Sequence, residues 1–416
     1  MGNERTALQV IKNRNFDIFL IYRALVTMAT LMQSVVVGWH IYKLTGSVLA
    51  LGMIGLAEVI PQVSIALFAG HFIDLWDRKK IIAGTTFILM LGSALLVYYC
   101  LPGVTVLSSH GVWPIFITIA LTGFSRGILG PAHNAFLGQI VPKDLYAHAA
   151  TWNSTTWQIA AVIGASLGGI VYGWAGGELP SYATVFSLYL LSFFAISLIP
   201  SQGKVVLTSN EGIFKRIREG VQFVFNSPIL LGAFALDMFA VLFGGAVALL
   251  PAFAKDILQV GPQGLGILRA APSIGAIIMG AWLIIHPPLK HTGKTLLWAV
   301  TGFGLCIIGF ALSRTFWLSV AFLFVSGMFD SISVIIRGTL LQIFTPDEMK
   351  GRVSAVNSIF IGSSNELGAF ESGVAARLLG LVPSVIFGGS MTLLIVAITA
   401  KINPMLRRLS LRKHNV

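Results

Sequence analysis

The feature that most constrains this chain is a series of apolar stretches, most about 20 residues or longer, that alternate with short polar segments. The hydrocarbon core of a bilayer requires about 20 apolar residues per helix, and only a backbone that is hydrogen-bonded internally is stable there. The pattern therefore predicts an all-α membrane protein with twelve spans. We expect these spans at residues 16–44, 48–73, 80–101, 113–137, 147–173, 182–200, 229–254, 264–286, 295–312, 316–342, 353–379 and 382–401.

The composition supports a membrane protein and excludes several other classes. Only 11% of the 416 residues are charged and 56% are hydrophobic, whereas soluble chains carry roughly 25% charged residues. A soluble domain this apolar could not cover its surface with polar groups, which excludes an ordinary cytosolic enzyme, a disordered chain and a nucleic-acid-binding module. The two cysteines, Cys100 and Cys306, lie in separate apolar stretches. They indicate neither a disulfide framework nor a metal site.

The basic residues predict the orientation in the membrane. Most Lys and Arg residues fall in the two terminal segments and in every second loop, and the opposite loops carry few. Because cytoplasmic loops are enriched in Lys and Arg, we expect both termini in the cytoplasm. The net charge of +12 is then a consequence of topology, and no nucleic-acid partner is expected.

A polar segment at residues 201–228 divides the chain into two predicted six-helix bundles, residues 1–200 and 229–416. Apolar residues recur within this segment at helical spacing, with charged residues mostly between them. This spacing predicts a short amphipathic helix on the cytoplasmic face of the membrane. The apolar positions are Ile213, Ile217, Val221 and Val224.

The two halves of the chain also resemble each other. Matching residues are separated by 204 positions in the later helices and by 214 positions in the earlier ones, and the alternative explanation is chance similarity between glycine-rich helices. Parallel six-helix repeats place a substrate cavity at their interface, near the bilayer midplane. The matched pairs include Gly123 with Gly327, Gly164 with Gly368, Gly169 with Gly373, and Gly52 with Gly266.

Several ionisable residues lie inside the predicted spans, where each costs about 2.5 kcal/mol or more and therefore requires a reason. The repeat aligns Arg23 with Asp237 and Arg126 with Asp330, so equivalent positions hold opposite charges. We expect these charges to attract each other across the central cavity, or to close it. The alternative is a set of static ion pairs that fix helix packing.

We hypothesise that carboxylates of this set couple transport to protons, since a carboxylate that is half desolvated and alternately exposed can bind and release a proton. Glu58 has a second interpretation, because it precedes Pro61 by three residues and could satisfy backbone groups that a kink exposes. The candidate coupling residues are Asp330, Glu366, Arg126, Asp237, Glu58, Arg23, Arg337 and Glu371.

The fifth span begins with an unusually polar and aromatic segment. Aromatic and amide groups could hold an amphiphilic substrate, and helix packing is the alternative. We also consider Asn365, which lies beside Glu366. The candidate cavity residues are Asn365, Trp152, Asn153, Trp157 and Gln158.

The loop after the second span contains Gly70, Asp74, Arg78 and Lys79 at a spacing that is similar to the loop signature of the major facilitator superfamily. Asp74 and Arg78 are four residues apart, so they can lie on one helix face. We hypothesise that these four residues form a cytoplasmic gate. The alternative is a basic cluster that serves only to set topology.

Further segments resemble one branch of the same superfamily, which includes siderophore and macrolide exporters. These segments are Leu250-Pro251 after span seven, Thr345–Val353 before span eleven and Asn365–Gly368 within it. Two other segments, Arg126–Gly130 in span four and Gly164–Gly169 in span five, are similar to elements of the superfamily that are linked to proton antiport. In span five Ala165 occupies the position where antiporters of the superfamily usually have proline, which weakens the expectation of antiport.

The resemblance implies a twelve-helix fold of two six-helix bundles, in the inner membrane of a bacterium. It implies proton-coupled export of an amphiphilic small molecule by alternating access, with a siderophore as the first expected substrate. Macrolide or multidrug efflux, siderophore import and lipid transport are the alternatives. We expect a monomer without a cofactor that uses the proton gradient as its energy source. An intramembrane enzyme is a rival class that the parallel repeat and the gate-like loop argue against. A non-transporting scaffold is a second rival, which predicts that the cavity charges can be neutralised without loss of function.

Overall fold

The computed structural model describes residues 13–142, 145–203, 213–286 and 290–411. The described chain is helical and contains no strand. We label its twelve long helices α1 (Arg14–Thr45), α2 (Val48–Leu75), α3 (Arg78–Tyr99), α4 (Trp113–Ile140), α5 (Tyr146–Trp174), α6 (Glu178–Leu198), α7 (Pro228–Gly244), α8 (Gly261–Ile285), α9 (Thr292–Leu312), α10 (Phe316–Phe344), α11 (Asp347–Leu379) and α12 (Leu381–Ile402).

These twelve helices correspond one to one with the predicted spans, and most of their ends differ from the predictions by a few residues. The exception is α7, which ends at Gly244 instead of residue 254 and is followed by short helical segments between Ala246 and Ile257. In the described part of the chain, eleven segments are long and apolar enough to cross a membrane. The helix that does not meet this criterion is α11, since it carries Arg352, Glu366, Glu371 and Arg377 among several serines. Charged residues in a spanning helix are expensive, so α11 must face protein or water along part of its length.

Two helix boundaries are fixed by glycines in the left-handed backbone region. Gly46, with φ of 59°, separates α1 from α2, and Gly380, with φ of 94°, separates α11 from α12. Residues with a Cβ rarely adopt this conformation, which reverses the chain direction at a helix end. The chain therefore turns within two residues at Gly46 and within one at Gly380.

The helices form two compact units. The first comprises Met1–Thr45, Ala57–Asn210 and Gly261–Gly266, and the second comprises Gly46–Leu56, Glu211–Val260 and Ile267–Val416. The first turns of α2 thus group with the second unit, and the first turns of α8 group with the first. The predicted boundaries did not include this exchange.

The same helix pairs pack together in both units. In the first unit α1 packs against α5 and α6, and α3 packs against α4 and α6. In the second unit α7 packs against α11 and α12, and α9 packs against α10 and α12. These pairs are equivalent under the sequence repeat, so the repeat found in the sequence is also a repeat of helix packing.

Glycine contacts show the repeat at the level of single residues. Gly123 on α4 lies against the backbone of Glu58 on α2, and Gly327 on α10 lies against the backbone of Pro272 on α8. Neither position has room for a Cβ, because helices in membranes approach closely where one residue is small. The four residues are equivalent in pairs under the repeat. A second equivalent set consists of Gly164 against Met28 and Gly368 against Leu242.

The polar segment between the halves contains the predicted helix, at Ile213–Asn226. Its residue Val224 is fully buried in the hydrophobic core of the second unit, and Val221 is packed against that core. Glu219 on this helix forms an ion pair with Arg352 on α11. The expectation that the apolar stripe lies on the membrane surface is therefore wrong for these residues, since packing against protein removes Val224 from solvent completely. The side chains of Ile213 and Ile217 lie outside the described residues.

Candidate functional site

The second unit contains a buried ion pair between its first and fourth helices. Arg337 on α10 donates from Nη1 to Oδ2 of Asp237 on α7, at 2.6 Å. The two side chains are only 5% and 7% exposed. Removing two charges from water costs several kcal/mol per ion, and good geometry is needed to offset that cost. The pair is therefore a position where loss of either partner leaves an uncompensated charge.

A cavity of about 10 Å³ adjoins this ion pair and has room for about one water molecule. Its polar lining consists of Asp237, Asp330 and Ser333, and the Ser333 hydroxyl is buried without a hydrogen-bond partner in the described part of the chain. Asp330 and Arg337 lie nearly two turns apart on the same face of α10, as their spacing predicts. Two carboxylates and one guanidinium thus lie in one cluster, in which only Asp237 contacts Arg337 directly. The cluster has one excess negative charge until it binds a proton.

The first unit contains a polar network at the equivalent helices. Arg23 on α1 contacts His133 on α4, with 2.6 Å between Nη1 and Nδ1. Arg23 also donates from Nε to Oδ1 of Asn153 on α5, at 3.0 Å. His133 is buried, and Arg23 and Asn153 are partly exposed. The network therefore joins three helices around one guanidinium.

The donor and acceptor roles in this network follow from the chemistry of Arg23. A guanidinium only donates hydrogen bonds, so His133 Nδ1 must accept and the imidazole proton must be on Nε2. His133 Nε2 then donates to the Tyr22 hydroxyl at 2.8 Å, and Tyr22 donates to the Thr86 hydroxyl at 3.1 Å. Thr86 donates in turn to the carbonyl of Ile82 at 2.7 Å. His133 is therefore neutral here, which avoids a second cation beside Arg23.

The repeat predicts the positions of these clusters correctly but not their partners. Arg23 and Asp237 are equivalent positions, as are His133 and Arg337, and in each unit the two side chains contact each other. The contacts that the structure shows for these side chains lie within each unit, and attraction across the cavity stays a prediction. Neighbouring helices of one bundle hold their side chains at the same depth, so a partner is available locally.

The pair of Glu58 and Arg126 also lies within the first unit. Arg126 on α4 donates from Nη1 to the Glu58 carboxylate on α2. The Arg126 side chain is 39% exposed and that of Glu58 is 13% exposed. Glu58 therefore binds a cation on another helix, and the interpretation that it satisfies backbone groups near Pro61 is wrong.

The candidate residues on α11 are separate from the cavity beside Asp330. Glu366 and Glu371 are partly buried, and neither lines that cavity. Asn365 is exposed and donates from Nδ2 to the carbonyl of Ile361 on its own helix, at 2.9 Å. The structure thus brings Asp237, Asp330 and Arg337 together but does not join the α11 residues to them.

The candidate residues at the polar and aromatic start of α5 also have different surroundings. Asn153 joins the network of Arg23, whereas Trp152 and Trp157 remain 36% and 47% exposed. Gln158 is partly buried. Sequence reasoning selected Asn153 only as one polar residue among several, and it missed Tyr22 and Thr86. Tyr22 directly precedes Arg23, and that adjacency is the signal that could have identified it.

Two of the four predicted gate residues, Arg78 and Lys79, lie at the N-terminus of α3, where the Asp77 carboxylate accepts a hydrogen bond from the Lys79 backbone at 2.9 Å. Arg78 donates from Nη1 to the carbonyl of Ala135 at 2.7 Å, and Lys79 donates from Nζ to the carbonyl of Ser197 at 3.0 Å. Both basic side chains thus bind carbonyls near the C-terminal ends of α4 and α6, where a helix dipole favours cations. The surroundings of the other two gate residues, Gly70 and Asp74, lie outside the described part of the chain.

Comparison with known proteins identifies the family. Residues 5–413 match the family described as transmembrane secretion effector, a branch of the major facilitator superfamily. This chain belongs to that family. Its resemblance to the superfamily, its all-α membrane fold and its assignment as a transporter rather than an enzyme are thereby confirmed.

The curated relatives of this secretion effector include several efflux proteins. Macrolide efflux protein A of Streptococcus pyogenes is 21% identical over 94% of this chain and 95% of the relative. The multidrug efflux pump Tap of Mycolicibacterium fortuitum is 23% identical over 90% and 91% of the two chains. The enterobactin exporter EntS of Escherichia coli is 24% identical over 87% of this chain and 90% of that protein.

Solved structures show the same fold. The crystal structure of a D-xylose–proton symporter superimposes with a TM-score of 0.74 at 9% identity, over 95% of this chain and 99% of the symporter. A peptide transporter superimposes with a TM-score of 0.71 at 13% identity, over 96% of each chain. Because these identities are low, the structures establish the fold alone, and the substrate must be argued from this chain.

Proposed function

We propose that this secretion effector exports an amphiphilic small molecule from the cytoplasm in exchange for protons, by alternating access. The observation that carries the proton part is the ion pair of Asp237 and Arg337, with Asp330 as a second carboxylate lining the cavity beside it, which has the size of one water molecule. The relatives that are named as efflux proteins support the direction of transport.

The cluster changes its net charge by one when it binds a proton. Without the proton, two carboxylates and one guanidinium leave a negative charge inside the bundle, and burying a net charge is costly. With the proton, the cluster is neutral and burial becomes favourable. A conformational change that alters access to the cluster therefore depends on its protonation, and the two carboxylates titrate as a coupled pair.

Asp330 is the better candidate for the transported proton. Asp237 is engaged by Arg337 at 2.6 Å, and a close ion pair with a guanidinium favours the charged form of a carboxylate. Asp330 lines the cavity beside that pair without a direct ion pair among the described residues. Among the carboxylates that the sequence offers as proton carriers, we therefore choose Asp330.

The substrate class is proposed from the resemblance and the relatives. A siderophore and a macrolide are the two candidates, since exporters of both kinds are similar to this chain over most of its length. We place the protein in the inner membrane of a bacterium, as a monomer with both termini in the cytoplasm, because the basic residues concentrate on that side.

Transport by reconstituted protein tests this proposal. Proteoliposomes with an imposed pH gradient are loaded with iron-free enterobactin or with erythromycin, and movement is measured for wild-type protein and for Asp330→Asn. We expect gradient-driven movement of one compound in the wild type. In Asp330→Asn we expect that movement to be lost while exchange of substrate for substrate remains, because a residue that cannot ionise cannot load or release a proton.

The control is Asp256→Asn, the same change at an exposed position, which should leave gradient-driven transport unchanged. Full gradient-driven transport by Asp330→Asn would refute its assignment as the proton site. Movement without dependence on the gradient would refute proton coupling, and movement only toward the side of the termini would indicate import. If neither compound moves, the proposed substrate classes are wrong.

A further inference from the structure

We infer that Arg23 forms, together with Asn153, a binding site for an acidic group of the transported molecule, so that the preferred ligands are amphiphilic anions. This inference rests on the proposed function, because it names the substrate class of the same transporter. It is carried by the charge balance and the hydrogen bonding of the first unit.

The charge of Arg23 is not neutralised within the described chain. Its partners are the neutral imidazole of His133 and the amide oxygen of Asn153, and no carboxylate among the described residues forms an ion pair with it. An arginine inside a bilayer costs several kcal/mol unless it is compensated. The other two arginines of the buried clusters differ in this respect, since Arg126 pairs with Glu58 and Arg337 with Asp237.

The neighbouring residues hold the guanidinium in place without using all its donors. Arg23 has five N–H groups, of which two are engaged by His133 and Asn153 in the described structure. The side chain is partly exposed, and three of its N–H groups have no hydrogen-bond partner among the described residues. A fixed guanidinium binds a carboxylate through two parallel hydrogen bonds, which favours a planar acidic group.

An exposed aromatic side chain lies on the same helix as Asn153. Trp157 is one helical turn from Asn153, on the same face of α5, and is 47% exposed. An exposed aromatic ring beside an uncompensated cation fits a molecule with an acidic end and an apolar body. A purely structural arginine would brace α1, α4 and α5 in the same way, but it would impose no preference on ligand charge.

A matched pair of ligands separates these possibilities. The probes are N-dansyl-leucine, which carries a carboxylate, and its methyl ester, which does not. Binding to the full-length protein in detergent is measured by energy transfer from tryptophan to the dansyl group. We expect the carboxylate to bind wild-type protein at least tenfold more tightly than the ester.

Two variants should remove this preference. Arg23→Gln removes the charge, and the two probes should then bind within twofold of each other. Asn153→Asp keeps the shape of the side chain and adds an internal carboxylate beside Arg23, so it should also abolish the preference while preserving the fold. Arg23→Lys should retain part of the preference, and Lys43→Gln, a change at an exposed ion pair, should leave it intact. Thermal unfolding of each variant verifies that it is folded.

The inference is overturned if wild-type protein binds the two probes equally, if the carboxylate does not bind, or if folded Asn153→Asp keeps the preference. These outcomes are independent of the proton test. Gradient-driven export that is lost in Asp330→Asn, together with no effect of charge on binding, would leave the proposed function intact and refute this inference alone. A preference for the carboxylate that depends on Arg23, together with transport that does not depend on the gradient, would support this inference and refute proton coupling.

Discussion

The first and second units use the same two helix positions for opposite electrostatic purposes. In the first unit the positions hold Arg23 and His133, which form a cation with neutral partners. In the second unit they hold Asp237 and Arg337, which form a closed ion pair beside a further acid, Asp330. A repeated bundle thus preserves where polar groups meet and changes what charge they carry. One cluster has an excess positive charge and the other an excess negative charge.

The residues that surround these two positions also differ between the units. The positions equivalent to Tyr22 and Thr86 are Leu236 and Val300, so the hydrogen-bond chain that holds neutral His133 has no counterpart in the second unit. Asn153 has an equivalent in Asn357, whose Oδ1 is buried without a donor in the described part of the chain. In the first unit the equivalent oxygen accepts a hydrogen bond from Arg23. The position of Arg23 is occupied in the second unit by Asp237, whose carboxylate cannot donate.

The largest expected effect is on stability at Arg337. Arg337→Gln leaves Asp237 without its counter-ion, and breaking a buried pair in this way costs about 3–5 kcal/mol. His133→Gln, at the equivalent position, replaces a neutral side chain and removes its hydrogen bonds to Arg23 and Tyr22, which should cost about 1–3 kcal/mol. Urea unfolding in detergent micelles measures both. The double variant Asp237→Asn/Arg337→Gln should recover much of the lost stability. Equal losses in Arg337→Gln and His133→Gln would contradict the electrostatic difference between the two units.

The equivalent glycines test whether the two units pack their helices in the same way. Gly123→Ala and Gly327→Ala each insert a methyl group against backbone of a neighbouring helix, and overpacking of this kind costs about 1–3 kcal/mol. The matched controls are Gly130→Ala and Gly338→Ala on the same two helices, where a Cβ meets no atom within 4 Å. These should be neutral or stabilising. A large loss at only one of Gly123 and Gly327 would show that the crossings are not equivalent.

Tyr22→Phe tests the hydrogen-bond chain of the first unit, which the equivalent residues Leu236 and Val300 cannot form. The variant keeps the buried ring and removes the hydroxyl that links His133 to Thr86. Loss of such a bond costs about 1 kcal/mol, measurable as a lower midpoint of thermal unfolding. Tyr98→Phe, at a tyrosine that is 48% exposed, is the control and should cause no change. An unchanged midpoint in Tyr22→Phe would mean that His133 is stabilised in another way.

The smallest effect is expected at the ion pair of Lys43 and Glu178, which are 2.8 Å apart with side chains 53% and 21% exposed. Exposed pairs contribute about 0–1 kcal/mol, so Lys43→Gln should destabilise the protein by less than about 1 kcal/mol. The difference should decrease at high salt because screening weakens exposed charges. The equivalent positions are Ile257 and Val382, so a large effect would reveal a difference between the units that exposure does not explain.

The sequence predicted much of the fold because the bilayer imposes a simple rule on length and hydropathy. The twelve helices and the repeat followed from that rule and from the spacing of glycines such as Gly164 and Gly368. The prediction was less successful for the linker helix, where Val224 packs against the second unit. Periodicity shows that a face is apolar, but a membrane surface and a protein core satisfy the same pattern.

The sequence by itself determined that this protein spans a membrane with twelve helices, that its halves are repeats and that equivalent positions carry opposite charges. Only the tertiary structure decided the partners of those charges. Arg23, Asp237 and Arg126 could each have paired within a bundle or across the cavity, because depth in the membrane is encoded along the chain and the lateral direction of a side chain depends on how helices pack. The neutral state of His133 and the pairing of Arg337 with Asp237 beside a second carboxylate, Asp330, follow from those lateral contacts.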